Sequence, residues 1–415
     1  MSRLHIRRKL KFIKRRPKGP VRRPHGKHAD AVARPAHAVN ATLYRPNDDR
    51  PAIVFDVPWA RHNVGWDILA RRYARAMVAA GLDARLYPVT GDMSPEVRAE
   101  AAAYAMRVDR AAVNIWSTCF HRPDVLIPEL ARHLFPRPRP RVFYTMFERL
   151  RATPQIVGWL NFHVDGVWVP CSANRDALCA AGSTNARYIP VPWFDDDAFL
   201  HLPRPRASRA FYWIGAWEQR KAPENVILAF MRAFRPAQAT LLLKTANFQA
   251  GYPTPEFFIK HALQDPAAIR NGWVGPTGIT VDRRVLSRAE MLGQVHGQGD
   301  VYVSASRGEG VDMPAFEAKL AGRRVVTTDS GGPRDFLGER DILIPRTGEQ
   351  AVPRIYQWEM GSAQADYSLD ALVAALQRAH AETPRLDIDW PREKFHYSNV
   401  GRILKEWFEQ MRGLR

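Results

Sequence analysis

The chain is poor in cysteine, with only three among its 415 residues, namely Cys119, Cys171 and Cys179. A disulfide-stabilised fold of this size needs more of them, and their spacing fits neither paired bridges nor a zinc site. The scarcity of cysteine therefore argues against a secreted disulfide scaffold. It favours a reducing compartment, so the sequence predicts a cytoplasmic protein.

Long apolar runs are missing as well. No stretch reaches the roughly 20 consecutive apolar residues that a helix needs to cross a bilayer. The first residues also lack the apolar centre of a signal peptide. We therefore expect a chain that is neither exported by that route nor membrane-spanning, with peripheral attachment at the inner membrane face left open.

Acidic residues are nearly absent from the first 40 positions. These positions hold thirteen Lys or Arg residues against the single acid Asp30, which accounts for +12 of the net charge of +19. The segment also has four prolines and little apolar content, so burial cannot offset the entropy cost of ordering it. Residues 1–40 are predicted to be a basic disordered tail.

Three roles for this basic tail stay open. Ile6, Leu10 and Ile13 recur at helical spacing among cations, a pattern that suits a helix lying on an anionic membrane surface. A basic tail also attracts the phosphates of nucleic acid without any base-reading motif. The third possibility is a solvated run of charge without a partner.

From residue 51 onward, short apolar runs alternate with amphipathic segments, which is typical of a parallel sheet with helices on both faces. The length favours two such domains. The first series predicts strands at 52–57, 82–89, 112–116, 141–146 and 166–169, with helices at 67–80 and 174–181. The second series predicts strands at 210–215, 240–245, 300–304 and 324–328, with helices at 223–234 and 314–321.

The domain boundaries follow from composition. Residues 195–209 combine an acidic triplet, Asp195 to Asp197, with prolines, which indicates an interdomain linker. The triplet resembles a metal-binding string, but in a linker we interpret it as solvated charge. The predicted fold is α/β, with Rossmann-like domains at 41–200 and 201–390. A C-terminal helix at 391–415 is expected to pack back, because Ile403, Trp407 and Met411 are spaced i, i+4, i+8.

The segment 308–317 contains most of the candidate functional residues. Ligands in open α/β sheets bind beyond the carboxyl ends of strands, and Glu309 follows the predicted strand 300–304. Pro314 favours a helix start there, and a helix start offers backbone N–H groups to a diphosphate. The N–H groups in question belong to Gly310, Val311 and Asp312.

Glu317 lies eight residues after Glu309, so the two carboxylates can reach hydroxyl groups at opposite ends of one ligand. A sugar nucleotide has such hydroxyls, on its sugar and on its ribose. Taken alone, two acids at a helix start are better explained as solvated side chains that the helix dipole favours.

Further segments change that balance. They are the strand and "RK" loop at 211–221, the stretch Thr145-Met146-Phe147-Glu148, the segment 168–176, and the turn Ser330-Gly331-Gly332-Pro333. With the Glu-x7-Glu spacing of Glu309 and Glu317, they resemble the large family of retaining glycosyltransferases with the GT-B fold (group 1, or family 4 type). The resemblance runs from about residue 143 to 337.

The resemblance implies two facing Rossmann-like domains, the first for the acceptor and the second for a nucleoside-diphosphate-sugar donor. It implies that Glu309 touches the donor sugar, Glu317 the ribose, and Lys221 with Arg220 the diphosphate. Gly215 closes the strand before this loop. No metal and no cofactor besides the donor is expected, because fixed cations and N–H groups can stabilise the leaving diphosphate.

Departures from the family pattern concern both domains. Ala216 stands where many relatives have Arg, so Arg220 is expected to supply that charge, and Val311-Asp312 replaces the commoner Phe-Gly. In the first domain, Gly65 is the single glycine of the loop that lets the backbone approach the ligands. His121 and Glu148 follow later strands and are the candidate acceptor-side groups, although a lone His is more often structural.

The sequence thus predicts transfer of a hexose-type sugar to an acceptor hydroxyl, in glycan, polysaccharide or glycolipid assembly. Two alternatives remain. One is a glycosyltransferase that modifies nucleic acid or protein through the basic tail. The other is a non-catalytic scaffold that binds sugar nucleotides.

Overall fold

The computed structural model describes residues 52–57, 65–88, 111–117, 140–205, 209–352, 362–382 and 392–413. The basic tail predicted for residues 1–40 lies outside these ranges. None of the helices in the described ranges is long and apolar enough to cross a membrane.

Two six-stranded parallel sheets form the framework. The first has the order β2-β1-β3-β4-β5-β6 and the second β12-β11-β10-β7-β8-β9. The strands of the first sheet are β1 (Ala52–Val57), β2 (Asp83–Pro88), β3 (Ala111–Ser117), β4 (Arg141–Tyr144), β5 (Gly166–Val169) and β6 (Ala186–Tyr188). Those of the second are β7 (Ala210–Ile214), β8 (Thr240–Lys244), β9 (Ile279–Asp282), β10 (Val301–Val303), β11 (Arg324–Thr328) and β12 (Ile342–Ile344). The strands β13 (Arg346–Ala351) and β14 (Ala363–Tyr367) form a separate antiparallel sheet of two strands.

Helices connect the strands, and local sequence signals explain several of their ends. Gly81 takes φ +85 just past α1, a conformation that costs glycine little. Thr153 caps α2 with its side chain and Ser368 caps α9. The helices are α1 (Gly65–Ala79), α2 (Pro154–His163), α3 (Ser172–Ala180), α4 (Pro223–Ala233), α5 (Pro255–Ala262), α6 (Pro266–Arg270), α7 (Arg288–Glu290), α8 (Met313–Leu320), α9 (Leu369–Ala381), α10 (Arg392–Phe395) and α11 (Tyr397–Gly413). Helix α7 continues as π-helical turns over Met291–His296.

Apolar side chains from both sheets share one core. Tyr73 of α1 and Trp168 of β5 belong to the same buried cluster as Tyr302 of β10 and Phe316 of α8. The outer face of the second sheet has its own cluster around Phe230. The outer face of the first sheet packs against α2. This arrangement confirms the predicted α/β fold with two Rossmann-like sheets.

The C-terminal helix α11 packs back on the first sheet, as its apolar spacing predicted. Trp407 and Met411 are buried, and the Trp407 ring lies 5.8 Å from that of Trp168. Near the start of α11, a Cβ at Gly401 would stand 2.8 Å from the Ala76 carbonyl oxygen of α1. Close contact between α11 and α1 therefore depends on this glycine.

The interpretation of the acidic triplet as solvated charge holds for Asp195 and Asp196, whose side chains are 69% and 59% exposed, and is wrong for Asp197, which is 12% exposed. Asp197 accepts two hydrogen bonds of 2.8 Å from Arg72, Asp196 pairs with Arg75, and Asp195 lies 3.3 Å from His396. Arg72 and Arg75 lie one turn apart on α1, which is why consecutive acids can reach them. Asp196 and Asp197 tie the linker to the first domain.

Candidate active site

The second sheet reverses its strand order between β7 and β10. The chain continues from β7 to β8 and β9 on one side, and from β10 to β11 and β12 on the other. At such a reversal the loops after the two central strands diverge and leave a crevice, the usual ligand position in open parallel sheets. These loops, 215–222 and 304–312, contain Lys221 and Glu309.

Lys221, Arg220 and Glu309 meet in this crevice. Lys221 Nζ donates a hydrogen bond of 2.5 Å to Glu309 Oε1, and Arg220 Nη1 lies 3.4 Å from the same oxygen. Arg220 Nη1 also donates to the Gly308 carbonyl oxygen at 2.6 Å. Glu309 is only 4% exposed and Arg220 8%, so a carboxylate and two cations share a nearly dry site.

Burial and charge compete in setting the ionisation of this cluster. Burial alone would raise the pKa of Glu309, but Lys221 and Arg220 outweigh it and hold the pKa below its usual value. Burial would likewise lower the pKa of Lys221, and the Glu309 charge reverses this and raises it. Glu309 is therefore ionised and Lys221 protonated at neutral pH.

The first domain contributes Glu148, from the loop after β4. Its Oε1 lies 3.1 Å from Arg220 Nη2, and the same nitrogen donates to Glu218 Oε1 at 2.6 Å. Burial, and after it the Glu309 charge, raise the pKa of Glu148, while Arg220 opposes this rise. Arg220 thus links carboxylates of both domains.

Glycines allow the loops of the two domains to touch. A methyl group at Gly308 would overlap the backbone oxygen of Glu148, and a Cβ at Gly310 would stand 2.8 Å from that of Met146. Gly331 takes φ +116 and pairs with Glu309 in an isolated parallel bridge, with Glu309 N–H donating to Ser330 at 2.9 Å. The glycine turn therefore holds the backbone of Glu309 from the β11 side.

Asp312 closes the loop and begins α8. It takes the left-handed φ of +58, and its Oδ1 accepts hydrogen bonds from Tyr302 Oη at 2.9 Å and from the Ala315 N–H at 3.4 Å. The carboxylate is 3% exposed. It therefore occupies the N–H group of Ala315 in the first turn of α8, and this N–H is not one of the three, on Gly310, Val311 and Asp312, that the sequence assigns to the diphosphate.

Glu317 lies on the second turn of α8 and has partners from the preceding helical segment. Arg288 Nη1 donates to Glu317 Oε1, and His296 Nε2 lies 3.5 Å from Oε2. Burial would raise the pKa of Glu317, but Arg288 and then His296 lower it to about 2. His296 is itself buried, which lowers its pKa, and its Nδ1 lies 3.0 Å from Tyr212 Oη.

The remaining predicted residues have simpler places. Gly215 directly follows β7, and a Cβ there would stand 2.8 Å from the Trp213 ring. Gly65 is the first residue of α1, and Val311 is buried in the shared core. His121 lies outside the described residues, so its role stays a prediction.

Arg288, His296 and Tyr302 were not found from the sequence. The Ser287-x-x-Glu290 capping box announces a helix start at Arg288, and the structure forms that box. The capping box could be found in the sequence, but it does not indicate that Arg288 pairs with Glu317, 29 positions away. Contact with Glu317 requires knowing that the segment after β9 passes beside α8.

Comparison with known proteins supports this assignment of the fold. Residues 250–356 match a family model described as glycosyl transferases group 1. No functionally curated protein matches the chain significantly.

Solved structures match over nearly the whole chain. Sucrose-phosphate synthase from Thermosynechococcus elongatus has a TM-score of 0.58 at 14% identity, covering 88% of this chain and 100% of its own. HepE from Anabaena, in complex with UDP and glucose, has a TM-score of 0.53 at 14% identity and covers 87% and 100%. The lipopolysaccharide outer core galactosyltransferase WaaB has a TM-score of 0.55 at 10% identity and covers 86% and 99%. The family match and the GT-B fold together support a glycosyltransferase.

Proposed function

We propose that the protein is a retaining, metal-independent hexosyltransferase that uses a nucleoside-diphosphate sugar and an acceptor hydroxyl. The observation that supports this most strongly is the buried pairing of Lys221 with Glu309 in the crevice between β7 and β10. HepE was solved with UDP-glucose as well as with UDP and glucose, which favours the same donor class here.

Lys221 is the cation best placed for the donor diphosphate. Its ammonium has three N–H groups, and Glu309 takes one of them. When the glycosidic bond breaks, the leaving diphosphate gains negative charge, and a fixed cation in a dry site stabilises that charge strongly. Lys221 can therefore supply the stabilisation that other enzymes obtain from a metal.

Arg220 acts by positioning. Its guanidinium already contacts Glu148, Glu218, Glu309 and the Gly308 carbonyl oxygen. These contacts fix the Glu309 carboxylate. Its remaining lone pairs can accept hydrogen bonds from hydroxyl groups of the donor sugar. In this proposal Glu309 orients the sugar, and the leaving phosphate oxygen removes the proton from the attacking hydroxyl on the same face, which retains the anomeric configuration.

Glu148 is the acceptor-side group in this proposal. It comes from the first domain and shares Arg220 with Glu309, so it borders the crevice where the acceptor hydroxyl has to enter. Burial raises its pKa, which is the direction that suits a carboxyl group exchanging a proton with an acceptor hydroxyl.

A thermal-shift screen of nucleotide sugars tests the donor class, because a ligand that binds only the folded state raises its apparent stability. We expect at least one nucleotide sugar to raise the Tm and then to be hydrolysed or transferred. An α-linked donor should give an α-linked product, and a β-linked product would contradict retention. Binding without any turnover would favour the scaffold alternative.

The acceptor belongs to glycan, polysaccharide or glycolipid assembly in this proposal, and the strongly basic segment 1–40 favours a membrane-associated acceptor. Deleting residues 1–40 should abolish binding to anionic liposomes and leave donor hydrolysis intact. Loss of salt-sensitive RNA or DNA binding instead would favour the nucleic-acid alternative.

A further inference from the structure

Asp312 has a backbone conformation that side chains other than glycine rarely adopt. Its φ is +58, the left-handed region, in which Asp and Asn are tolerated best after glycine. Tyr302 donates a hydrogen bond to Oδ1 from the neighbouring strand β10, and the Ala315 N–H donates to the same oxygen. These two bonds hold the side chain in one orientation.

The second carboxylate oxygen, Oδ2, is buried and accepts no hydrogen bond of ordinary geometry within the described part of the chain, and the Ser304 hydroxyl is the neighbouring group that stabilises the charge of this carboxylate alongside Tyr302. Buried acceptors are nearly always satisfied in folded proteins, so an unsatisfied one calls for an explanation. The groups that face this carboxylate are the Glu309 and Lys221 side chains and the hydroxyls of Tyr302 and Ser304. An acceptor oxygen is therefore fixed beside the Lys221–Glu309 pair.

The chemistry of the donor selects which of its groups can satisfy Oδ2. A carboxylate oxygen needs a hydrogen-bond donor, and a diphosphate diester has none at neutral pH. Sugar hydroxyls do. The ribose hydroxyls are expected at Glu317, which Arg288 and His296 surround, whereas Asp312 is electrostatically coupled to Glu309 and Lys221.

We propose that Asp312 is a specificity-determining residue that accepts a hydrogen bond from a hydroxyl of the donor sugar. This inference rests on the proposed function. It adds a second carboxylate to the sugar pocket, next to Glu309. Donors that lack the contacted hydroxyl would leave Oδ2 unsatisfied and would bind more weakly.

The ionisation of Asp312 gives this proposal a pH signature. Burial and the Glu309 charge raise the pKa of Asp312 to about 6, against the opposing effect of Lys221 and the two hydroxyls. Above pH 6 the carboxylate accepts the sugar hydroxyl. Below pH 6 it is protonated, so the sugar-dependent part of the affinity falls. A carboxylate that merely repelled the diphosphate would give the opposite trend, because protonation would then tighten binding.

The test compares each nucleotide sugar with its free nucleoside diphosphate by calorimetry, for wild type, Asp312→Asn and Asp312→Gly. The probes are UDP-glucose, UDP-N-acetylglucosamine, GDP-mannose and ADP-glucose. Asn and Gly both adopt the left-handed backbone conformation at low cost, so neither substitution should strain the loop. For the best donor we expect about a tenfold loss of affinity for the nucleotide sugar, the size of a hydrogen bond to a charged group, and less than a twofold change for the diphosphate.

Two further measurements sharpen the test. A monodeoxy form of that donor should bind to wild type about tenfold more weakly than the parent donor does. The Asp312→Asn variant should bind the parent and the monodeoxy donor equally. The matched control is Asp265→Asn, which alters a helix-capping carboxylate at the start of α6 that pairs with Arg232 of α4.

Equal losses for nucleotide sugar and diphosphate would overturn the proposal, as would tighter binding of both or no change. If Glu148 caused the pH dependence of nucleotide-sugar affinity, that dependence would persist in Asp312→Asn. If Asp312 causes it, the dependence should disappear in this variant. If wild type bound none of the four nucleotide sugars and none of the three free diphosphates, UDP, GDP and ADP, the proposed function would fail instead, independently of Asp312.

Discussion

At the ribose end of the proposed donor site, Arg288 and His296 both approach Glu317. Glu317 is 6% exposed at its side chain and Arg288 38%. A buried carboxylate without a partner is costly, so this pair contributes to stability before any ligand arrives. Arg288 also stacks on Phe199 at 4.6 Å, which ties the pair to the linker between the domains.

Arg288→Ala should destabilise the protein by about 2 kcal/mol, less than a fully buried pair because Arg288 is partly exposed. The pKa of Glu317 is lowered to about 2 from its usual 4.5, so the favourable contribution is complete above pH 4.5 and declines as the pH falls toward 2. The Tm difference from wild type should therefore be several degrees at pH 7 and smaller at pH 3.

Arg284→Ala is the matched control for Arg288→Ala. Arg284 pairs with Asp282 but is 62% exposed, so its removal should change the Tm by no more than about 1 °C. Equal effects of the two variants, or a difference that grows in acid, would contradict the role given to Glu317.

Single residues differ in how far the sequence predicts them. Lys221, Arg220 and Glu309 were predicted from family resemblance and meet in the crevice. The orientation of Asp312 was not predicted, because it depends on a hydroxyl from β10 and on a left-handed backbone. Short motifs identify reactive residue types, but their partners come from other elements.

Among the elements, the loop 304–312 is the one that joins the two domains at the site. Gly308 faces the backbone of Glu148, and Gly310 faces Met146. Because backbone cannot move aside as a flexible side chain can, a Cβ at Gly308 would push apart the loops that hold Glu309 and Glu148.

Gly308→Ala should therefore lower the Tm by several degrees and weaken donor turnover at least tenfold, since displacements near 1 Å cost that much or more. Gly275→Ala is the control, because nothing lies within 4 Å of a Cβ at that position. Wild-type turnover in Gly308→Ala would show that this close approach is unnecessary for the site.

Strands with continuous apolar runs were predicted well, and polar elements were not. The strands at 166–169 and 324–328 have the predicted bounds, because the first is an unbroken buried apolar segment and the second is rich in the β-branched residues Val and Thr. The strand β13, Arg346–Ala351, was missed since its side chains are mostly exposed and polar. Helix α9 was also missed, although Ser368 and an apolar stripe signal it.

Over the whole molecule, contacts distant in sequence keep the two domains together around the crevice. Ser172 at the start of α3 donates its backbone N–H to Asp335 at 2.7 Å, and its hydroxyl contacts the same carboxylate. Asp196 and Asp197 tie the linker to α1, and α11 returns to the first sheet. The sequence predicted the linker and the returning helix, but ion pairs between segments more than 100 residues apart leave no local signal.

The central claim is that Lys221 and Glu309 form the donor site, and steady-state turnover of the nucleotide sugar found in the screen tests it most directly. Lys221→Ala and Glu309→Gln should each lower kcat/KM by at least about 100-fold, as removal of a preorganised charge does. Both should keep a cooperative thermal transition. Lys260→Ala, on the exposed side of α5, should match wild type. Near-normal turnover in either crevice variant would contradict the account.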